Sequence, residues 1–122
     1  MTSADAFGNY EIEYGMKGAA LTVSFIEYYP YYPYPRVELR YFDVLIKSVG
    51  FFLMDPNYRP VVVEVGTGSV AVSIGGTNVF TESLSTTNYA TIDKAGWRFG
   101  FGGRTGGFKN KHSIDNLVIA SP

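Results

Sequence analysis

Apolar and polar residues alternate in several short runs of the chain, and a turn residue ends most of them. The run over residues 21–28 places Leu21, Val23 and Phe25 on one face, and the run over residues 37–41 repeats the pattern. A period of two is typical of half-buried β-strands. In the second run Val37 and Leu39 oppose Glu38 and Arg40. We predict strands in both runs, a further one over residues 10–16, and one or two within residues 44–54.

The middle of the chain predicts a β-meander. Two valine-rich runs, over residues 61–65 and 70–74, are separated by Gly66-Thr67-Gly68, and Gly75-Gly76 follows the second run. Glycine pairs and Gly-X-Gly sequences are signals of tight hairpin turns. A third strand, over residues 78–80, follows the glycine pair, and residues 81–91 form a polar connection. No stretch has the period of an amphipathic helix.

A tyrosine and proline segment, residues 28–35, interrupts the strands. Prolines remove ladder donors, so this segment is predicted to be an irregular loop. Its five tyrosines, at 28, 29, 31, 32 and 34, supply amphipathic rings. Such rings either pack on their own sheet or form a surface that recognises sugars or proteins.

The closing part of the chain predicts a hairpin with a long loop. Trp97, Phe99 and Phe101 alternate onto one face, a glycine-rich stretch follows, and Ile114 to Ile119 forms a second apolar run. The order of Arg98-Phe99-Gly100-Phe101, Thr105-Gly106 and a His112-containing last run resembles the C-terminal strands of concanavalin A-like, L-type (legume-type) lectins.

This resemblance implies an all-β, antiparallel β-sandwich of the concanavalin-like jelly-roll type. Residues 1–122 would then be a single lectin-like domain, which we expect to be the C-terminal part of a longer one. The family implies a non-catalytic carbohydrate-recognition module, extracellular or on the cell surface, with a glycan or glycoprotein as its partner. Multivalent binding would come from a homo-oligomer or a larger parent protein.

The loop after the Thr-Gly turn selects the sugar in L-type lectins. The matching residues here are Gly106, Gly107, Phe108, Lys109 and Asn110. Glycines allow a ligand close to the backbone, Asn110 offers a donor and an acceptor, and Phe108 can stack on a pyranose face. An ordinary solvated hairpin loop is the alternative.

Metal-dependent sugar binding of the legume type is not expected. Ser24 and Ile26 stand where the family's acidic ligands would be, and Pro30 replaces its asparagine. A hydroxyl and an alkyl chain cannot supply the charge that calcium or manganese needs. His112 matches the family's last-strand histidine, and as a single imidazole it more readily closes a hydrogen-bonded loop than binds a metal. We expect neither a metal nor another cofactor.

Composition excludes several other classes. Of 122 residues none is cysteine, which removes thiol chemistry, and the formal net charge of -1 disfavours nucleic acid as a partner. No run approaches the roughly 20 apolar residues of a membrane helix, so no membrane insertion is expected. A content of 14 glycines and 16% aromatic residues favours an all-β fold.

Catalysis is not expected, because one histidine and no cysteine leave few nucleophile and base combinations. Two alternatives to a lectin stay open. One is a structural or protein-interaction extracellular module with a decayed sugar site. The other is a degenerate glycoside hydrolase relative that uses Glu11 and Glu13, which alternate along one strand but lack a third carboxylate.

Overall fold

The protein is all-β in a computed structural model that describes residues 11–12, 15–16, 20–26, 35–53, 57–101 and 114–120. These residues contain eight strands and no helix. All pairings between the strands are antiparallel. The strands are β1 (Glu11–Ile12), β2 (Gly15–Met16), β3 (Leu21–Ile26), β4 (Arg36–Tyr41), β5 (Val44–Gly50), β6 (Val61–Val65), β7 (Ser69–Ile74) and β8 (Thr77–Ser83).

The first three-stranded sheet has the order β3-β4-β5, and β1 and β2 form a small hairpin of their own. Strand β4 is central and pairs with β3 from Leu21 opposite Tyr41 to Ile26 opposite Arg36. A two-residue turn, Phe42-Asp43, joins β4 to β5, and the register shifts by one residue after Leu39. The strands predicted over residues 21–28, 37–41 and 44–54 are confirmed in their main part.

The second sheet is the predicted meander, with the order β6-β7-β8. Gly75 and Gly76 form the turn between β7 and β8 with φ values of 60° and 81°. Two positive φ values define the hairpin turn that matches strand twist, and glycine adopts them without steric cost. The glycine pair therefore specifies the turn, and the register of the hairpin shifts once between Val72 and Ser73.

The core contains side chains from both sheets, which therefore pack against each other as in a β-sandwich. Alternation along β4 and β7 sends Val37 and Leu39 to the same core as Val70, Val72 and Ile74. Lys47 on β5 also reaches Glu82 on β8, at 3.8 Å. The buried cluster consists of Leu21, Val37, Leu39, Tyr41, Val70, Val72, Ile74, Phe80, Leu84 and Tyr89.

The prediction of a closing hairpin is wrong, because neither of its two segments, residues 97–101 and 114–119, forms a strand. Residues 97–101 show only an isolated pairing at Arg98, and residues 114–120 form no strand. Trp97 packs against the core cluster, whereas Phe99 and Phe101 are exposed, as are the apolar side chains of residues 114–119. Alternation supplies strand propensity, but a strand also needs a ladder partner, and neither segment has a strand partner within the described part of the chain.

Candidate functional site

The sugar-binding residues predicted from the sequence, Gly106, Gly107, Phe108, Lys109 and Asn110, lie outside the described residues. The same holds for Pro30 and the other residues of the tyrosine and proline segment before Pro35, and for His112 and Glu13. Only the strand placement of Glu11 is described. A candidate site within the described residues is found instead at the turn between β4 and β5.

The turn presents an aromatic ring in an unusual backbone conformation. Phe42 and Asp43 have φ values of 45° and 66°, and the Phe42 side chain is half exposed. A bulky residue at positive φ is an outlier that costs about 1 to 2 kcal/mol. Two hydrogen bonds hold the conformation: Phe42 N donates to Ala20 O at 2.8 Å, and Arg40 Nη1 donates to the Asp43 carbonyl at 3.3 Å.

Tyr41 connects this turn to the core. Its ring is buried, and it meets the Phe42 ring edge-on, with centroids 4.7 Å apart and an interplanar angle of 77°. On the core side it meets the Tyr89 ring at 5.7 Å and 84°. Edge-to-face aromatic pairs of this kind contribute about 0.5 to 1.5 kcal/mol beyond their buried area. The exposed ring is thus supported by a rigid aromatic base.

Asn88 lies at the hydroxyl end of Tyr41. The Tyr41 hydroxyl donates to Asn88 Oδ1 at 2.7 Å. The Asn88 carbonyl accepts from Thr91 N at 3.1 Å and from Ile92 N at 3.0 Å, and also from Thr91 Oγ1 at 3.1 Å. Asn88 is exposed, yet both its backbone and its side chain are fixed.

The segment that carries Asn88 is anchored by Tyr89. The Tyr89 hydroxyl donates to Gly66 O at 2.8 Å. Lys94 Nζ lies 4.2 Å from the centre of the Tyr89 ring and donates to the Tyr89 carbonyl. The Trp97 ring lies 6.4 Å from that of Tyr89, and the Lys94 ammonium is also 6.0 Å from the centre of the Trp97 ring. The polar connection predicted for this part of the chain is therefore packed on the end of the sandwich.

Burial sets the protonation of the two tyrosines. It raises the pKa of Tyr41 above its ordinary value. Burial, and secondarily the charge of an ionised Tyr41, raises the pKa of Tyr89 to about 12. Both hydroxyls therefore stay protonated at neutral pH and act as hydrogen-bond donors.

We call Phe42, Asp43 and Asn88 the tip site. It combines an exposed aromatic ring, a carboxylate that accepts hydrogen bonds, and an amide that is held in place. Among the described residues no group of three His, Cys, Asp or Glu side chains could hold a metal ion. The tip site therefore offers groups that suit a polar ligand with an apolar face.

Sequence reasoning missed the tip site because its turn carries no glycine or asparagine. Phe42-Asp43 sits between two apolar alternating runs, and only the restart of the pattern at Val44 marks a turn. Asn88 fell within a connection recognised only as polar. The pairing of these residues depends on Tyr41 reaching Asn88 across 47 positions of the chain.

The opposite face of β4 carries a chain of charged side chains. Arg36 Nε lies 3.2 Å from Glu38 Oε2, and Arg40 Nη2 lies 3.4 Å from Glu38 Oε1. Since Arg40 also donates to the Asp43 carbonyl, this charged chain extends to the backbone of the tip site. Its role is to hold the turn, because Arg36 and Glu38 are buried.

Comparisons of the chain with protein-family models, with curated proteins and with solved structures find no match. No helix capable of crossing a membrane occurs in the described part of the chain.

Proposed function

We propose that this protein is a non-catalytic, lectin-like carbohydrate-binding module that uses the tip site. One observation carries the proposal: Phe42 is half exposed in a strained turn and lies on the same tyrosine that fixes the exposed Asn88 amide. Strained residues that the surrounding structure holds in place occur preferentially at functional sites.

The chemistry of the tip site suits a sugar. A pyranose has an apolar face of C–H groups and a rim of hydroxyls. The Phe42 ring can stack on the apolar face, while the Asn88 amide and the Asp43 carboxylate offer a donor and acceptors to the rim. Phe42 and Asn88 both contact the side chain of Tyr41, and we propose that one sugar ring meets both.

Affinity at one such site is expected to be weak. A shallow surface buries little ligand area, and ordered water has to be displaced. A homo-oligomer or a larger parent protein would then supply multivalent binding to a glycan or glycoprotein outside the cell. The two packed antiparallel sheets are compatible with the concanavalin-like jelly roll, which remains part of the proposal, as does a contribution from Gly106, Gly107, Phe108, Lys109 and Asn110.

The experiment is a glycan-array screen of the protein and two phenylalanine variants. Phe42→Ala removes the ring of the tip site. Phe52→Ala is the matched control, because Phe52 is 71% exposed and lies beyond the opposite end of β5. We expect glycan binding that is insensitive to a chelator, that is lost in Phe42→Ala, and that is kept in Phe52→Ala.

Two results would contradict this assignment. Equal binding by the protein and Phe42→Ala would show that the tip site does not bind the glycan. Asn110→Ala would then test the loop of residues 106–110. Loss of all binding in the chelator would show that a metal is required.

A second candidate function is a structural or protein-interaction module. It is favoured by a run of apolar side chains, Ile114, Leu117, Val118 and Ile119, that are all more than half exposed. Exposed apolar clusters are common at protein interfaces. Failure to bind any glycan, together with concentration-dependent association that Leu117→Asp abolishes, would favour this function over the lectin.

A further inference from the structure

We propose that Tyr41 is a positioning residue: its hydroxyl orients the Asn88 amide so that the –NH₂ group faces the ligand, and the site therefore recognises a hydrogen-bond acceptor. This inference rests on the proposed carbohydrate-binding function. It adds that the site donates a hydrogen bond from the Asn88 –NH₂ group, and that Tyr41 is the residue that orients this group.

The first step of the argument is the direction of the Tyr41 hydrogen bond. A hydroxyl that donates to Asn88 Oδ1 at 2.7 Å takes one of the two acceptor positions of that oxygen and turns the oxygen branch of the amide toward Tyr41. An amide has its oxygen and its nitrogen on opposite branches, so the nitrogen points away from Tyr41. The Tyr41 hydroxyl is protonated at neutral pH, and burial raises its pKa further, so it is available as the donor in this bond.

The second step is the rigidity of Asn88. Its carbonyl accepts hydrogen bonds from both the backbone and the side chain of Thr91 and from the backbone of Ile92. The side chain is exposed, and within the described residues no hydrogen bond uses its Nδ2. An exposed polar group that is already fixed loses little entropy when a ligand binds. Asn88 is thus a preorganised donor.

The third step is the ligand chemistry. Asn88 Nδ2 offers N–H groups, so its partner has to be an oxygen with a lone pair, such as a ring oxygen, a hydroxyl oxygen or an acetamido carbonyl. Asp43 supplies the opposite polarity, because an ionised carboxylate only accepts. The ligand class is therefore a sugar that presents a hydrogen-bond acceptor to Asn88.

The experiment compares dissociation constants of four variants for a glycan selected on the array. Tyr41→Phe keeps the ring and removes the hydroxyl. Tyr58→Phe is the control, since it also removes a tyrosine hydroxyl, and Tyr58 is 68% exposed and precedes β6, away from the tip site. Asn88→Ala removes the amide, and Asn88→Asp replaces the donor with a second acceptor. We expect Tyr41→Phe to bind about fivefold more weakly, Asn88→Asp to bind as weakly as Asn88→Ala, and Tyr58→Phe to bind like the unmodified protein.

Two outcomes would overturn the inference: Tyr41→Phe that binds as well as the unmodified protein, or Asn88→Asp that keeps its affinity within twofold. If Tyr41→Phe does not fold, the comparison of Asn88→Asp with Asn88→Ala decides whether the –NH₂ group of Asn88 contacts the ligand.

A measurement without any ligand separates this inference from the proposed function. In NMR spectra of the free protein, the side-chain amide resonances of Asn88 should shift in Tyr41→Phe and stay in place in Tyr58→Phe. Unchanged resonances in Tyr41→Phe would refute the positioning role, whatever binds. Failure of every glycan to bind, with the Asn88 resonances shifted as expected, would refute the carbohydrate function alone.

Discussion

Arg36 and Glu38 form an ion pair at 3.2 Å on the face of β4 opposite the core, and each residue is 1% exposed. They stand two positions apart on the central strand, so their side chains share one face. Arg40, two positions further on, contacts the second carboxylate oxygen of Glu38 at 3.4 Å. One carboxylate thus connects two guanidinium groups.

The first prediction follows from the position of Glu38. Glu38→Ala leaves two arginines without their shared carboxylate in a buried setting, and breaking a buried ion pair typically costs about 3 to 5 kcal/mol. We expect the free energy of unfolding, measured with urea, to fall by that amount. Glu64→Ala is the control, because Glu64 is exposed on β6, and it should change stability by less than about 0.5 kcal/mol. Equal effects of the two variants would show that the Glu38 ion pairs are not needed for folding.

The second prediction concerns alkaline pH and Tyr89. Its pKa is about 12 in the folded protein, against an ordinary value of 10.0. The folded state therefore holds the proton more tightly than the unfolded state. This contribution to stability is complete below pH 10 and is lost as the pH rises from 10 to 12.

Urea unfolding at a series of pH values up to 11.5 tests this prediction. The protein should lose stability above pH 10, and Tyr89→Phe should lose less over the same interval, because it has no proton to release. The difference between the two proteins reports Tyr89 together with its charge coupling to Tyr41. Parallel curves would contradict the raised pKa of Tyr89.

The meander could be predicted from the sequence because its signals are local. Valines at every second position specify the faces of β6 and β7, and Gly75-Gly76 specifies the turn by conformational preference alone. The burial of Glu38 could not be predicted. Alternation along β4 shows which side chains share a face, but not whether that face is covered.

The tip site and residues 114–119 both show that local sequence preference alone does not determine the backbone structure. Phe42-Asp43 forms a tight turn although phenylalanine rarely adopts a positive φ, because hydrogen bonds to Ala20 and from Arg40 outweigh the local preference of Phe42. The segment 114–119 has strand propensity but no described strand beside it. Tertiary partners decide both cases, and a single sequence does not reveal those partners.

The third prediction tests the turn between β7 and β8. Gly76 has a φ of 81°, and a Cβ placed there would meet no atom within 4 Å, so backbone strain is the only cost of a methyl group. Gly76→Ala should lower the free energy of unfolding by about 1 to 2 kcal/mol. Gly96→Ala is the control, since its added Cβ is equally uncrowded and its φ is not positive. A Gly96→Ala variant that is as destabilised as Gly76→Ala would contradict the strain argument.

The last prediction separates binding from stability at Phe42. Phe42→Ala and Phe42→Gly both remove the ring that meets Tyr41 at 4.7 Å, so both should lose glycan binding. They differ in backbone cost, because alanine at a φ of 45° is strained and glycine is not. Phe42→Gly should therefore be more stable than Phe42→Ala by about 1 kcal/mol, measured by urea unfolding. A glycine variant that is no more stable than the alanine variant would show that the turn relaxes once the ring is gone, and the strain at Phe42 would then not mark a functional site.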